Sequence, residues 1–146
     1  MSICVICGEL IHNRKERRII MIEEFVKLET AKLLKEKGLS EDVFTFYEAD
    51  SIEGDMKLSE TYDKSENFNE KDDCFSAPTQ SLTQKWLRDT KCLHIEIGYM
   101  YEDYWLYDIL TIPTHDLIGL KDRAPVRYST YEEALEAGIQ EALKLI

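Results

Sequence analysis

The stretch LHIEIGYMYEDYWLYDILTI, residues 93–112, constrains this chain more than any other. It is dense in β-branched and aromatic residues and is interrupted once, by the polar pair Glu102-Asp103. That pattern predicts two antiparallel strands joined by a short turn. Alternation with period two decides which residues share a face, and turn length decides the register. A two-residue turn at Glu102-Asp103 would set Ile97 against Asp108 and Gly98 against Tyr107, mixing polar and apolar positions. A three-residue loop over 102–104 instead aligns Tyr101 with Trp105, Tyr99 with Tyr107 and Ile97 with Ile109. This gathers one aromatic–aliphatic face and leaves His94, Glu96, Gly98, Met100 and Asp108 on the other. The odd-length loop is therefore expected, with Tyr104 at the tip and the apolar face turned toward helices.

The segment after the hairpin ends in the clearest helix. Thr130 and Glu133 have capping-box spacing, and Tyr131, Ala134, Leu135, Ala142, Leu143 and Ile146 fall on one face. Gly138 lies in its middle, at a cost of about 1 kcal/mol relative to alanine, which a close helix–sheet approach would explain. Over 22–38, Ile22, Phe25, Val26, Leu33 and Leu34 recur at helical spacing. Glu23, Glu24 and Glu29 come early, Lys32, Lys35 and Lys37 late, and Gly38 is a natural residue to end the helix. Another helix is expected over 76–89, with Ser76 as N-cap, Pro78 in the first turn, and Leu82, Trp86 and Leu87 as its buried stripe.

Shorter elements fill the gaps. VFTFY, residues 43–47, reads as a strand, and 56–61 as a weaker one. Residues 48–73 hold ten acids and three lysines, with few apolar side chains between 61 and 73, and are expected to form a mobile surface loop. Residues 113–125 read as a turn-rich connection and 126–129 as a short strand; no internal repeat is visible. The order is α-β-β-α-β-β-(β)-α. The expected fold class is α+β, a small mainly antiparallel sheet with helices packed on one face, because hairpins dominate and no βαβ pattern repeats.

A chain of 146 residues suits one domain with a real core. Its charge is uneven. Arg14, Lys15, Arg17 and Arg18 outnumber Glu9 and Glu16, so residues 1–20 carry +2 within a chain of net charge −11. Glu16-Arg17-Arg18 can also be encoded as GAAAGGAGG, a ribosome-binding sequence placed before Met21. The expectation is a native start at Met21, with 1–20 an N-terminal extension and 21–146 a single α+β domain. Strong net negative charge repels phosphate backbones and anionic lipid, so neither direct nucleic-acid binding nor membrane binding is expected. There is no apolar run of about 18 residues. The short apolar part of the N-terminus precedes its basic part, the reverse of a secretory signal, so a cytoplasmic location is expected.

Four segments carry a resemblance: FVKLETAKLLKEKG (25–38), SAPTQSLTQKWLRD (76–89), HIEI (94–97) and TYEEALEAGIQEALKLI (130–146). In these the chain resembles a group of short bacterial and prophage proteins with no assigned activity. The resemblance implies a mobile-element or prophage setting and nothing about chemistry. Members of that group begin near the first helix, so residues 1–20 depart from the pattern.

Candidate chemistry is thin. Cys4-Val-Ile-Cys7-Gly8 supplies two thiolates of zinc-knuckle type, but a closed tetrahedral site needs four ligands. Cys74, Cys92 and His12 would have to be recruited without the usual spacing, and incidental thiols are the favoured reading. A cysteine nucleophile could be assembled from Cys74 or Cys92 with His94 or His115 and Asp116, but nothing local places thiolate, imidazole and orienting group together. Asp103 and Asp108 could serve acid–base work, yet 29 acids make such pairs common by chance. GxGxxG, Walker and HExxH signatures are missing from the sequence. The hairpin aromatics are flanked by Glu102, Asp103 and Asp108 rather than by Lys or Arg, which argues against base stacking on RNA. No catalytic, cofactor-binding or metal-ligating residue is therefore assigned, and no cofactor. The expected role is a non-enzymatic protein–protein interaction module acting on a protein partner or as a homodimer. Two alternatives stand beside it. One is an acidic nucleic-acid mimic that inhibits a host enzyme through the 48–73 acids; the other is a small hydrolase or zinc protein.

Overall fold

A computed structural model describes residues 22–119 and 126–146 of the chain. The readings at Cys4, Cys7, His12 and Met21, and the 120–125 part of the connection, lie outside the described residues. In chain order the elements are α1 (Leu28–Glu36), β1 (Thr45–Ala49), β2 (Met56–Glu60), a 3-10 turn (Phe68–Glu70), β3 (Phe75–Ser76), α2 (Gln80–Lys91), β4 (Leu93–Met100), β5 (Tyr104–Thr111), β6 (Leu117–Ile118) and α3 (Tyr131–Lys144). The class is α+β, in close to the expected order. The strands are shared between two antiparallel three-stranded sheets, β2-β1-β3 and β4-β5-β6. Among the described residues no helix is long and apolar enough to cross a membrane.

The β4–β5 hairpin is the floor on which α3 lies. Ile95, Tyr107 and Ile109, all on one face, are buried with Leu135, Ile139, Ala142 and Leu143 of the helix. A Cβ on Gly138 would stand 2.8 Å from Ile95 Cγ2 and 3.1 Å from Tyr107 Cγ, so the bare backbone is what lets helix and sheet approach. Helix α3 starts as its capping residues predict: the Thr130 hydroxyl accepts from the Glu133 N–H at 3.1 Å, and Glu133 Oε2 accepts from the Ser129 N–H at 3.2 Å. Helix α2 contributes Trp86 and Leu87 to the same core and α1 contributes Ala31 and Leu34. In α2, Leu82 is not part of the buried stripe; the buried face is Gln80, Thr83, Trp86 and Leu87.

Several boundaries differ from the sequence reading. Helix α1 begins at Leu28 rather than near Ile22, because residues 22–27 run extended beside the start of α2. There the Val26 N–H donates to the Pro78 carbonyl at 3.0 Å and the Gln80 N–H to the Glu24 carbonyl at 2.8 Å. Thr79, not Ser76, caps α2, its hydroxyl accepting from the Leu82 N–H at 3.2 Å. Ala77 precedes proline and is held out of helical geometry, and Ser76 is already paired with Phe46 in β3. The acidic 48–73 stretch is not a loose loop. Phe68 is buried and stacks on Phe46 with centroids 3.9 Å apart. Asn69 accepts from the Ser76 N–H at 2.8 Å and donates to the Leu39 carbonyl at 2.9 Å, tying the segment to both neighbours. The 113–125 connection contains the two-residue β6, and 126–129 contributes one bridge, Tyr128 to Trp105, rather than a strand.

Candidate protein-interaction surface

Hairpin parity and the odd loop length agree with the sequence reading, but the register is displaced. Tyr99 lies opposite Trp105, Ile97 opposite Tyr107 and Ile95 opposite Ile109. The loop is therefore 101–103, and Tyr101, 93% exposed, takes the tip in place of Tyr104. Both registers keep the same residues on each face, so the apolar pattern cannot choose between them. Backbone conformation can. Glu102 and Asp103 sit at φ 77° and 61°, in the left-handed region. Aspartate tolerates that region better than a bulky aromatic does, so ending the loop at Asp103 leaves Tyr104 extended.

This register has a geometric consequence. Each hairpin strand has eight residues, about 26 Å at strand rise, whereas the fourteen residues of α3 span about 21 Å. The helix covers Ile95, Tyr107 and Ile109 and begins over Trp105, where Tyr131 packs edge-on with centroids 5.5 Å apart. Beyond that point no helix among the described residues covers the same sheet face. Tyr99, 59% exposed, lies against Trp105 at 4.9 Å, and its hydroxyl donates to Asp103 at 2.9 Å. That bond to Asp103 is the main reason the Tyr99 phenol holds its proton above its ordinary range.

The end of the hairpin is braced from one side. Trp105 and Tyr128 exchange backbone hydrogen bonds at 2.9 and 3.0 Å. Arg127 lies 4.4 Å over the Tyr104 ring and pairs with Glu102 at 3.1 Å. Because Trp105 directs its peptide groups at Tyr128, the Tyr99–Trp105 pair is a non-hydrogen-bonded one. The peptide groups of Tyr99, and by the same alternation those of Ile97, face the outer edge of β4. Lower on that edge the Ile95 carbonyl is taken by Gln84 Nε2 at 2.8 Å. The tip thus combines exposed aromatic rings with a length of strand edge to which no other described strand pairs. The sequence reading turned Tyr99, Tyr101 and Trp105 toward the helices and left only Tyr104 at the tip, so the exposure of Tyr99 and Tyr101 corrects it. It missed Arg127, Tyr128 and Tyr131, which join them only through the path of the chain after β5.

The residues weighed for catalysis are not brought together. Cys92 is exposed at φ 55° between α2 and β4, with its carbonyl accepting from the Ile112 N–H at 2.8 Å. Burial, with the Glu48 charge added, raises the Cys74 thiol above its usual range and keeps it a poor nucleophile. His94 lies on the outer hairpin face with its Nδ1 buried and unpartnered, while His115 lies at φ 62° in the turn after β5. Among the described residues no hydrogen bond joins a cysteine to a histidine. Asp103 belongs to the tip, and Asp108 faces outward opposite Glu96, so the two carboxylates do not converge. Asp116 uses its backbone to close the turn on Thr111, its carbonyl accepting from the Thr111 N–H at 3.0 Å. Among the described residues no group of three His, Cys, Asp or Glu side chains could hold a metal ion.

Comparison with family models, curated proteins and solved structures finds no match.

Proposed function

We propose that the chain is a non-enzymatic protein-interaction module that binds a protein partner, or a second copy of itself, through the free end of the β4–β5 hairpin. One observation carries this reading. The helix that buries the hairpin stops at Trp105, leaving Tyr99 and Tyr101 59% and 93% exposed beside a β4 edge to which no other described strand pairs. Tyrosine and tryptophan offer large contact area with a polar tip and little conformational entropy to lose, which suits them to interface centres. Main-chain pairing along Ile97 and Tyr99 would add affinity by strand addition. The prophage or mobile-element setting implied by the four resembling segments fits a small adaptor of this kind.

The test is a paired one. A Tyr99→Ser, Tyr101→Ser double variant removes the exposed rings together with the Tyr99 contact to Trp105 and its bond to Asp103, so it is expected to cost about 1–2 kcal/mol and to leave the fold intact, as thermal melting would show. Tagged parent and variant are then used to isolate complexes from the same cells. A partner, or self-association, held by the parent and lost by the variant supports the reading; a partner held equally by both sinks it.

A further inference from the structure

We infer that a second surface, the groove between the start of β1 and the start of α2, binds a peptide segment with an apolar side chain flanked by lysine or arginine. The groove encloses about 400 Å³, within the size range of specific binding pockets. Its walls are Phe25, Val43, Phe44, Pro78 and Leu82, and among the described residues the charged groups lining it are Asp42 and Glu60, both acidic and both exposed.

The walls are fixed before any ligand arrives. The Thr61 N–H donates to the Phe44 carbonyl at 2.8 Å, the Ala77 N–H to the Thr45 carbonyl at 2.9 Å and the Thr45 hydroxyl to the Ala77 carbonyl at 2.5 Å. The Val26 N–H to Pro78 carbonyl bond closes the other side. Two large apolar residues nevertheless stay uncovered there, Phe44 at 51% and Leu82 at 36% exposure. An apolar floor with a rim of one sign specifies its occupant. The rim attracts cationic flanks and repels anionic ones, and the floor takes the apolar side chain between them. The occupant is thus a basic, apolar-centred segment of another protein, a different partner surface from the one at the hairpin end.

The test uses the full chain and three labelled peptides: a Leu-Phe centre flanked by lysines, the same centre flanked by glutamates, and a Ser-Ser centre flanked by lysines. Fluorescence anisotropy is expected to show saturable binding of the first alone, weakening as salt rises. Phe44→Ser is expected to weaken it about thirtyfold, as loss of a central apolar anchor does. The charge reversals Asp42→Lys and Glu60→Lys together are expected to weaken it about tenfold at low salt. Both sets of changes are at exposed positions, and unchanged thermal melting would show that folding is intact. Equal binding of the glutamate-flanked peptide, or of the Ser-Ser peptide, overturns the inference. So does a self-associated parent chain that Phe44→Ser renders monomeric, because the groove would then be filled by a second copy. The Tyr99→Ser, Tyr101→Ser variant is expected to bind the lysine-flanked peptide as the parent does, which separates this inference from the one about the hairpin.

Discussion

Glu136→Ala is expected to destabilise the protein by about 2–4 kcal/mol, through donors that lose their acceptor. Glu136 projects from α3 and is only 4% exposed. Its Oε1 accepts from the Lys27 N–H at 2.8 Å and from the Thr30 hydroxyl at 2.5 Å, and its Oε2 accepts from Gln80 Nε2 at 2.9 Å. Lys27 is the N-cap of α1 and supplies no side-chain cap of its own. A carboxylate from the far end of the chain therefore satisfies the first turn of α1 and sits at the positive end of its dipole. One side chain thus pins α1, α2 and α3 to each other. Alanine leaves a backbone N–H and a hydroxyl without their acceptor, at about 1–3 kcal/mol each when buried, and takes one of two acceptors from the Gln80 amide, which keeps the Glu132 carbonyl at 3.0 Å. Grooves of about 290 and 330 Å³ reach Glu136 and let water recover part of that loss. Glu136→Gln should cost less, about 1 kcal/mol, because its carbonyl still serves Lys27 and Thr30 while its amide meets the Gln80 donor. Chemical denaturation measures both. Hydrogen exchange should show the Ala variant's loss concentrated at the first turn of α1; equal exchange there in parent and variant would contradict the capping role.

Gly138→Ala is expected to destabilise by about 1–2 kcal/mol net, the opposite of what helix propensity alone gives. In an exposed helix that change would stabilise by about 1 kcal/mol. Here the new methyl would lie 2.8 Å from Ile95 Cγ2 and within 3.2 Å of two Tyr107 atoms. Ile95 is fully buried and Tyr107 is 5% exposed, so neither can withdraw without disturbing the rest of the core. The sign of the change in melting temperature decides the matter. Ile95→Ala should relieve the clash, making the double variant less destabilised than the two single changes added together. Additive effects would show that the helix has moved away from the sheet instead.

What was legible in the sequence was whatever local patterning determines. Thr130 and Glu133 announced the start of α3, the mid-helix glycine announced close packing, and strand alternation sorted the hairpin faces correctly. What was not legible depends on partners distant in sequence. Glu136 reads as one more surface acid on an amphipathic helix until Lys27, Thr30 and Gln80 are seen around it. Phe68, alone among charges, carries no periodicity, yet its stacking on Phe46 orders a segment whose composition suggests a mobile loop. The extended path of 22–27 follows from backbone bonds to Pro78 and Gln80, which outweigh the helical spacing of Ile22, Phe25 and Val26. The hairpin end shows both sides. Its tyrosines and tryptophan are visible in the sequence, but which of them α3 covers depends on a register set by two left-handed loop residues.

The role assigned to that end is tested most directly by placing a photo-cross-linking benzoylphenylalanine at position 101 and, in a separate chain, at position 53. Tyr101 is the hairpin tip, and Glu53 is an exposed member of the acidic 48–73 stretch. Irradiation in living cells is expected to give a discrete adduct from position 101, to a partner or to a second copy, and none from position 53. An adduct from 53 with none from 101 would contradict the account and would place the binding surface on the acids instead.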